Sequence, residues 1–278
     1  MTTTIESVGD LLRAWRQRRR YSQLELAAEA GVSTRHLSFV ETGRAGASRE
    51  MLVRLARQLG MPLRARNRLL VAGGFAPAHG ERPLDAPDMS GARAVLDAVL
   101  AGHAPFPALA VNARWELIAA NDAVARLLDG VSGALLAPPV NVLRLSLHPD
   151  GLAPRIDNLG EWRHHLLERL RLQADSSGDA RLAALRSELA ALPFRAGRTP
   201  PGPLAPVAVP LRLRDLSSGA MLSLLSTTTV FGTATDVTLA EITLECFYPA
   251  DAPTRAYFLG TGADDLGAAS AFGARTPG

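Results

Sequence analysis

The sequence predicts an all-α N-terminal domain of five helices, followed by an α+β domain with an antiparallel sheet. Three observations carry this prediction. The first 73 residues hold a succession of Ser caps and Gly stops around apolar residues spaced three and four apart. A stretch with Pro77, Pro83 and Pro87 then interrupts the pattern. Beyond it, helical stretches are flanked on both sides by short strand-like segments, the order of a mixed domain.

The elements follow in order. Val8, Leu11, Leu12 and Trp15 share one helical face. Ser22 caps Gln23–Ala30, with Glu25 at the third position of a capping box, and Gly31 stops the helix. Ser33 caps Thr34–Thr42, which Gly43 closes. Ser48 caps a fourth helix with a core face of Leu52, Leu55, Ala56 and Leu59. Pro62 starts a fifth that ends near Gly73 and Gly74. The boundaries that result are a first domain at 1–74, a linker at 75–90, a second domain at 91–260 and a flexible tail at 261–278.

Within the second domain a helix is expected at Ala92–Ala101, then strands at Ala108–Asn112 and Arg114–Ala119. Helices are expected at Asn121–Leu128, Val142–Leu147, Leu159–Ala174 and Asp179–Leu192. A Pro/Gly break covers Arg195–Pro206. Strands at Val207–Leu213, Ala220–Val230 and Val237–Phe247 close the domain. There is no internal repeat.

Charge separates the two halves. The formal net charge is +3 over 278 residues, and every basic residue is Arg. Residues 1–73 carry 13 Arg against 6 acids, whereas the remainder carries 17 Arg against 21 acids. A basic head on a mildly acidic body implies that only the head meets a polyanion. A single Cys, Cys246, excludes an internal disulfide framework and fits a reducing compartment. No apolar run approaches the ~20 residues of a membrane span, and the first ten residues lack the order of a signal peptide. A cytoplasmic protein without a membrane partner is expected.

The segment SQLELAAEAGVSTRHLSFVETGR, residues 22–44, carries the chemistry. Leu26 and Ala27 bury its first helix, Gly31 turns the chain in the left-handed region, and Leu37 and Val40 bury its second helix. Thr34, Arg35, Ser38 and Phe39 are left facing outward, near the end that enters a major groove in such a helix pair. Arg35 can donate two hydrogen bonds to guanine O6 and N7, and Thr34 or Phe39 can meet a thymine methyl. Gln23, at a helix start, suits a phosphate. Arg44 and the cluster from Arg16 to Arg20, Arg19 included, are further phosphate candidates.

The spacing of Gln23, Leu26-Ala27, Gly31-Val32-Ser33, Leu37-Ser38, Glu41 and Gly43-Arg44 resembles the Cro/C1-type, or XRE, helix-turn-helix family. That resemblance implies that Ser33, Thr34, Arg35 and Phe39 reach bases and that Gln23 holds the DNA backbone. Phe39 stands where a polar residue is common. The stretches FPALAVNARWELIAANDAVARLL, NVLRLSLHP, LGEWRHHLLERLRLQA and DARLAALRSELAAL resemble the MmyB-like ligand-binding family. That resemblance implies a PAS-like fold and a small, largely apolar ligand such as a fatty acid.

Several residues carry two readings. Trp115 and Asn121 are either pocket lining or, respectively, a core aromatic and a helix cap. Trp162, Leu166 and Leu170 form a stripe that is core or pocket wall. Arg144 and His148 could meet an acidic head group or could be surface residues. His164, His165 and Glu168 lack a third metal ligand and read as a solvated helix face, so no metal is expected. Cys246 reads as a buried small hydrophobe or a redox sensor. No phosphate loop or nucleophile elbow is present, so no catalytic residue or cofactor is expected.

Together these readings give a sequence-specific transcription regulator that binds double-stranded operator DNA as a homodimer and senses a small apolar molecule. Two alternatives stay open. One is a DNA-tethered enzyme, for which residues 74–278 offer no converging titratable groups. The other is a regulator whose second domain only dimerises.

Overall fold

The structure, a computed structural model, describes residues 6–194 and 208–260. The expected flexible tail at 261–278, the Pro/Gly break and the start of the strand expected at Val207–Leu213 lie outside the described residues. By packing the chain divides into two units. The first takes in the chain up to Pro83 with Leu172–Asp179 and Gly232–Ala240. The second takes in the rest.

The five expected helices of the head are α1 Val8–Arg18, α2 Gln23–Ala30, α3 Thr34–Glu41, α4 Arg49–Gln58 and α5 Leu63–Ala72. Ser22, Ser33 and Ser48 each accept the N–H three residues on, at 3.1, 3.1 and 3.2 Å. Each thereby satisfies a backbone donor that the first turn leaves without a partner. The core is Leu12, Leu26, Leu37, Leu52, Leu55 and Leu69, none of them solvent-exposed. Gly9 lets α1 cross α3 closely, since a Cβ there would stand 2.5 Å from the Glu41 carbonyl oxygen.

The chain continues through a 3₁₀ turn, Pro87–Met89, into α6 Ser90–Gly102. Strands β1 Ala108–Val111 and β2 Leu117–Ala120 follow, then α7 Asp122–Ala125, α8 Gly133–Leu136, α9 Val142–Leu147, α10 Leu159–Ser177 and α11 Ala180–Ala191. Strands β3 Leu211–Arg214 and β4 Met221–Val230, α12 Val237–Ala240, β5 Thr243–Pro249 and α13 Ala252–Leu259 complete it. The five strands form one antiparallel sheet in the order β2-β1-β5-β4-β3. Helix α6 packs on β1, and α13 packs on β4 and β5.

Three expected elements differ from what forms. The strand expected at Arg114–Ala119 begins only at Leu117, because the preceding residues make the turn out of β1. Asn112 Oδ1 accepts the N–H groups of Arg114 and Glu116 at 2.8 and 3.1 Å, and Trp115 takes φ 65°. The strand expected at Val237–Phe247 begins at Thr243. Its first four residues are instead one helical turn, started by Asp236 Oδ1 accepting the Thr238 N–H at 2.9 Å. The side chain of an Asp at that position competes successfully with a ladder bond. The helix expected at Asn121–Leu128 is shortened to Asp122–Ala125.

Candidate functional site

In the head, the capping box is complete. Ser22 Oγ accepts the Glu25 N–H at 3.1 Å, and the Glu25 carboxylate accepts the Ser22 N–H at 2.8 Å. Gly31 takes φ 63°, the left-handed turn between α2 and α3. Because Leu37 and Val40 are buried, α3 turns its other side outward. Arg35 is exposed there, and Thr34, Ser38 and Phe39 are half-buried. The Arg35 guanidinium carbon lies 5.3 Å from the centre of the Phe39 ring, a cation–π contact that gives the long side chain a platform. Ser33 and Arg44 are exposed at the two ends of this surface.

Behind α3 the polar chemistry is internal. Arg16 donates to both Glu41 oxygens at 2.7 and 2.8 Å and to the Tyr21 carbonyl at 3.0 Å. Gln23 Nε2 donates to Glu41 Oε2 at 2.9 Å. Burial alone would raise the Glu41 carboxyl. The hydrogen bonds from Arg16 and Gln23 and the charges of Arg16 and Arg13 outweigh it and hold the group below the usual carboxylate range. Arg19 donates to the carbonyls of Leu59 and Gly60, at 3.0 and 3.2 Å, and lies 5.3 Å from the Trp15 ring centre.

In the second unit, α7, α9 and α10 stand over one face of the sheet and leave a cavity of about 100 Å³. Its apolar wall includes Leu109, Trp115, Leu145, Trp162, Leu166 and Phe247. Four polar residues also reach it: Ser146, Arg169, Ser226 and Glu245. Trp162 Nε1 donates to Ser146 Oγ at 2.9 Å. Arg169 Nη1 donates to Glu245 Oε2 at 3.1 Å, and its Nη2 reaches both Glu245 Oε1 and, at 2.8 Å, Thr228 Oγ1. The same guanidinium lies 4.6 Å from the Trp115 ring centre. His165 stacks beside Trp162 with 5.7 Å between ring centres. Burial and the neighbouring Arg169 charge push its pKa down.

Residues 12–65 match the helix-turn-helix family, and residues 92–258 match the MmyB-like transcription regulator ligand binding domain. The chain belongs to the MmyB-like transcription regulators. No match to it was found among curated proteins. The pairing of the two matches makes this MmyB-like regulator a DNA-binding protein with a ligand-binding domain.

The expected site residues of the MmyB-like regulator separate by geometry. Ser33, Thr34, Arg35, Ser38 and Phe39 share one surface, and Arg44 stands just beyond it. Gln23, Arg16 and Arg19 have hydrogen-bond donors occupied inside the head. Trp115, Trp162 and Leu166 line the cavity. Asn121, Arg144 and His148 do not. Asn121 ties β1 to its neighbours, accepting the Ala108 N–H at 3.1 Å and donating to the Phe106 carbonyl at 2.8 Å. Arg144 pairs with Glu188 at 2.6 and 2.7 Å, and His148 Nδ1 accepts the Asp150 N–H at 3.0 Å. Cys246 is buried, and burial raises its thiol pKa.

The polar cavity residues that sequence reasoning missed are Ser146, Arg169, Ser226 and Glu245. Arg169 does follow Trp162 and Leu166 on the same side of α10, a spacing that could have pointed to it. Among the described residues no cluster of metal-ligating side chains occurs, and no helix is long and apolar enough to cross a membrane.

Proposed function

We propose that the protein is a cytoplasmic regulator that binds a palindromic operator as a homodimer and releases or engages it in response to a small apolar ligand. The observation that carries this reading is the pairing of an open α3 surface in one unit with an apolar cavity in the other. Thr34 and Arg35, with Ser33, Ser38 and Phe39 around them, read base edges from the major groove. Arg44 contacts phosphate. Two copies would place their reading helices about one turn, ~34 Å, apart.

The five-stranded antiparallel sheet with helices packed on it supports the PAS-like reading of the second domain. Trp115, Trp162 and Leu166 contact the ligand there. A fatty acid is the ligand class that the family resemblance suggests. Binding shifts the dimer only if the ligand prefers one of its arrangements.

The test has three parts, all on the full chain. Light scattering reports the dimer. Selection from random duplexes yields the operator. Native mass spectrometry before and after denaturing extraction reports a retained apolar molecule. Selected duplexes with no shared half-site, or a monomer on DNA, would overturn the first part of the reading. Operator affinity that is indifferent to the extracted molecule would overturn the second.

A further inference from the structure

Among the described residues the ligand cavity has no unpaired charge to offer a ligand. Arg169, the one cation among the described lining residues, faces Glu245 with both arms of the guanidinium and makes a further hydrogen bond to Thr228. The Glu245 side chain is only 5% exposed, and the Arg169 side chain 26%, so the carboxylate half of this pair is the buried one. The two basic residues expected to meet an acidic head group do not line the cavity. Arg144 is held by Glu188, and His148 accepts a backbone N–H from Asp150. A carboxylate entering here would lose its hydration and find no free counter-ion among the described residues, which disfavours an unpaired buried ion.

One polar atom does remain available. Ser146 is buried, at 9% exposure, and lines the cavity. Its oxygen accepts the Trp162 N–H, which fixes the hydroxyl in place, and its own proton has no acceptor among the described residues. A hydroxyl can donate one bond while it accepts another. The space is also small. About 100 Å³ is of the order of the ~150 Å³ apolar cavity that takes benzene.

We infer that the cavity takes an uncharged, apolar molecule about the size of one ring, carrying one oxygen that accepts a hydrogen bond from Ser146, and that it discriminates against carboxylates. This rests on the reading of the cavity as the ligand site. It departs from the fatty-acid class in the charge and length of the ligand.

The test titrates the full-length protein at pH 7 with toluene, benzyl alcohol, benzoate and decanoate, by calorimetry and by the shift in Tm. Benzyl alcohol should bind at least about tenfold more tightly than benzoate, because only the latter leaves a charge unpaired. Ser146→Ala should bring benzyl alcohol down to the level of toluene. Glu245→Gln should release Arg169 and raise benzoate affinity about tenfold or more. The wild-type comparison decides the matter if that variant does not fold. Benzoate or decanoate binding the wild type as tightly as benzyl alcohol would overturn the inference and keep the cavity as the site. Failure of all four probes to bind would overturn the cavity as a ligand site altogether.

Discussion

Glu41 holds both arms of the Arg16 guanidinium, at 2.7 and 2.8 Å, with a side chain that has no solvent exposure at all. The pair joins α1 to α3 from behind, where Gly9 has already let the two helices approach. Arg13 adds a bond to the Glu41 carbonyl at 2.7 Å, and Gln23 adds one to its carboxylate from the start of α2. Three helices are thus referenced to one carboxylate, and the outward side of α3 is set by it.

Glu41→Ala should therefore cost the head about 3–5 kcal/mol, the usual result of leaving a buried ion without its partner. Urea denaturation followed by circular dichroism measures it. A loss below about 1 kcal/mol, the size of a surface pair, would refute the role.

The head predicts a split among three kinds of variant. Arg35→Ala should relax base preference at one position of each half-site, at a cost of about 1–3 kcal/mol on the preferred sequence. Phe39→Ala should weaken the same preference, because it removes the platform 5.3 Å beneath the guanidinium. Arg44→Ala should weaken binding to all sequences alike and flatten the salt dependence by about one charge. Arg19→Ala should act chiefly on stability, since its donors close the end of α4 at Leu59 and Gly60. Binding isotherms against single-base operator variants at several salt concentrations separate these outcomes. Uniform loss in all four variants would mean that α3 is not the reading helix.

How much of this was legible in the sequence depends on the distance over which each feature is decided. The head helices are announced locally by Ser22, Ser33 and Ser48, whose cap bonds reach only three residues. The outward set on α3 followed from Leu37 and Val40 facing in. Side-chain partners were not legible. Arg16 finds Glu41 across 25 residues, and Arg169 finds Glu245 across 76. A run of five basic-rich positions looks the same whether its members face phosphate or close a helix end. Likewise Trp115 marked the cavity by type, but its turn conformation depends on Asn112 folding back onto the chain after it. The stretch from Val237 reads as a strand by its β-branched residues, and a capping bond from Asp236 overrides it.

Asp215 supplies a prediction in pH. The residue is 1% exposed in the turn between β3 and β4. Burial would raise its pKa. Hydrogen bonds from the Ser218 and Ser217 hydroxyls, the Ser218 N–H and Tyr257 outweigh burial and lower it from 3.8 to about 2. A carboxylate with a depressed folded pKa stabilises above its unfolded pKa, and that contribution is lost as pH falls through the folded value. The window is therefore pH 3.8 down to about 2. Asp215→Asn should destabilise the second unit by about 2 kcal/mol near neutrality. The difference from wild type should shrink steadily across that window and vanish below it. A difference that is constant with pH would show that the charge is not what matters.

The three tryptophans offer a direct readout of the cavity. Trp115 and Trp162 line it, whereas Trp15 sits in the head core. A molecule entering the cavity should change the emission of the first two, through contact with the Trp115 ring and disturbance of the Trp162–Ser146 bond at 2.9 Å. Trp115→Phe and Trp162→Phe should each remove part of the ligand-induced change, and Trp15→Phe should leave it intact. Both cavity variants keep an aromatic wall, so loss of signal need not mean loss of binding, and calorimetry on the same samples tells the two apart. A ligand response that disappears with Trp15→Phe alone would place the bound molecule in the head and remove the cavity from the mechanism.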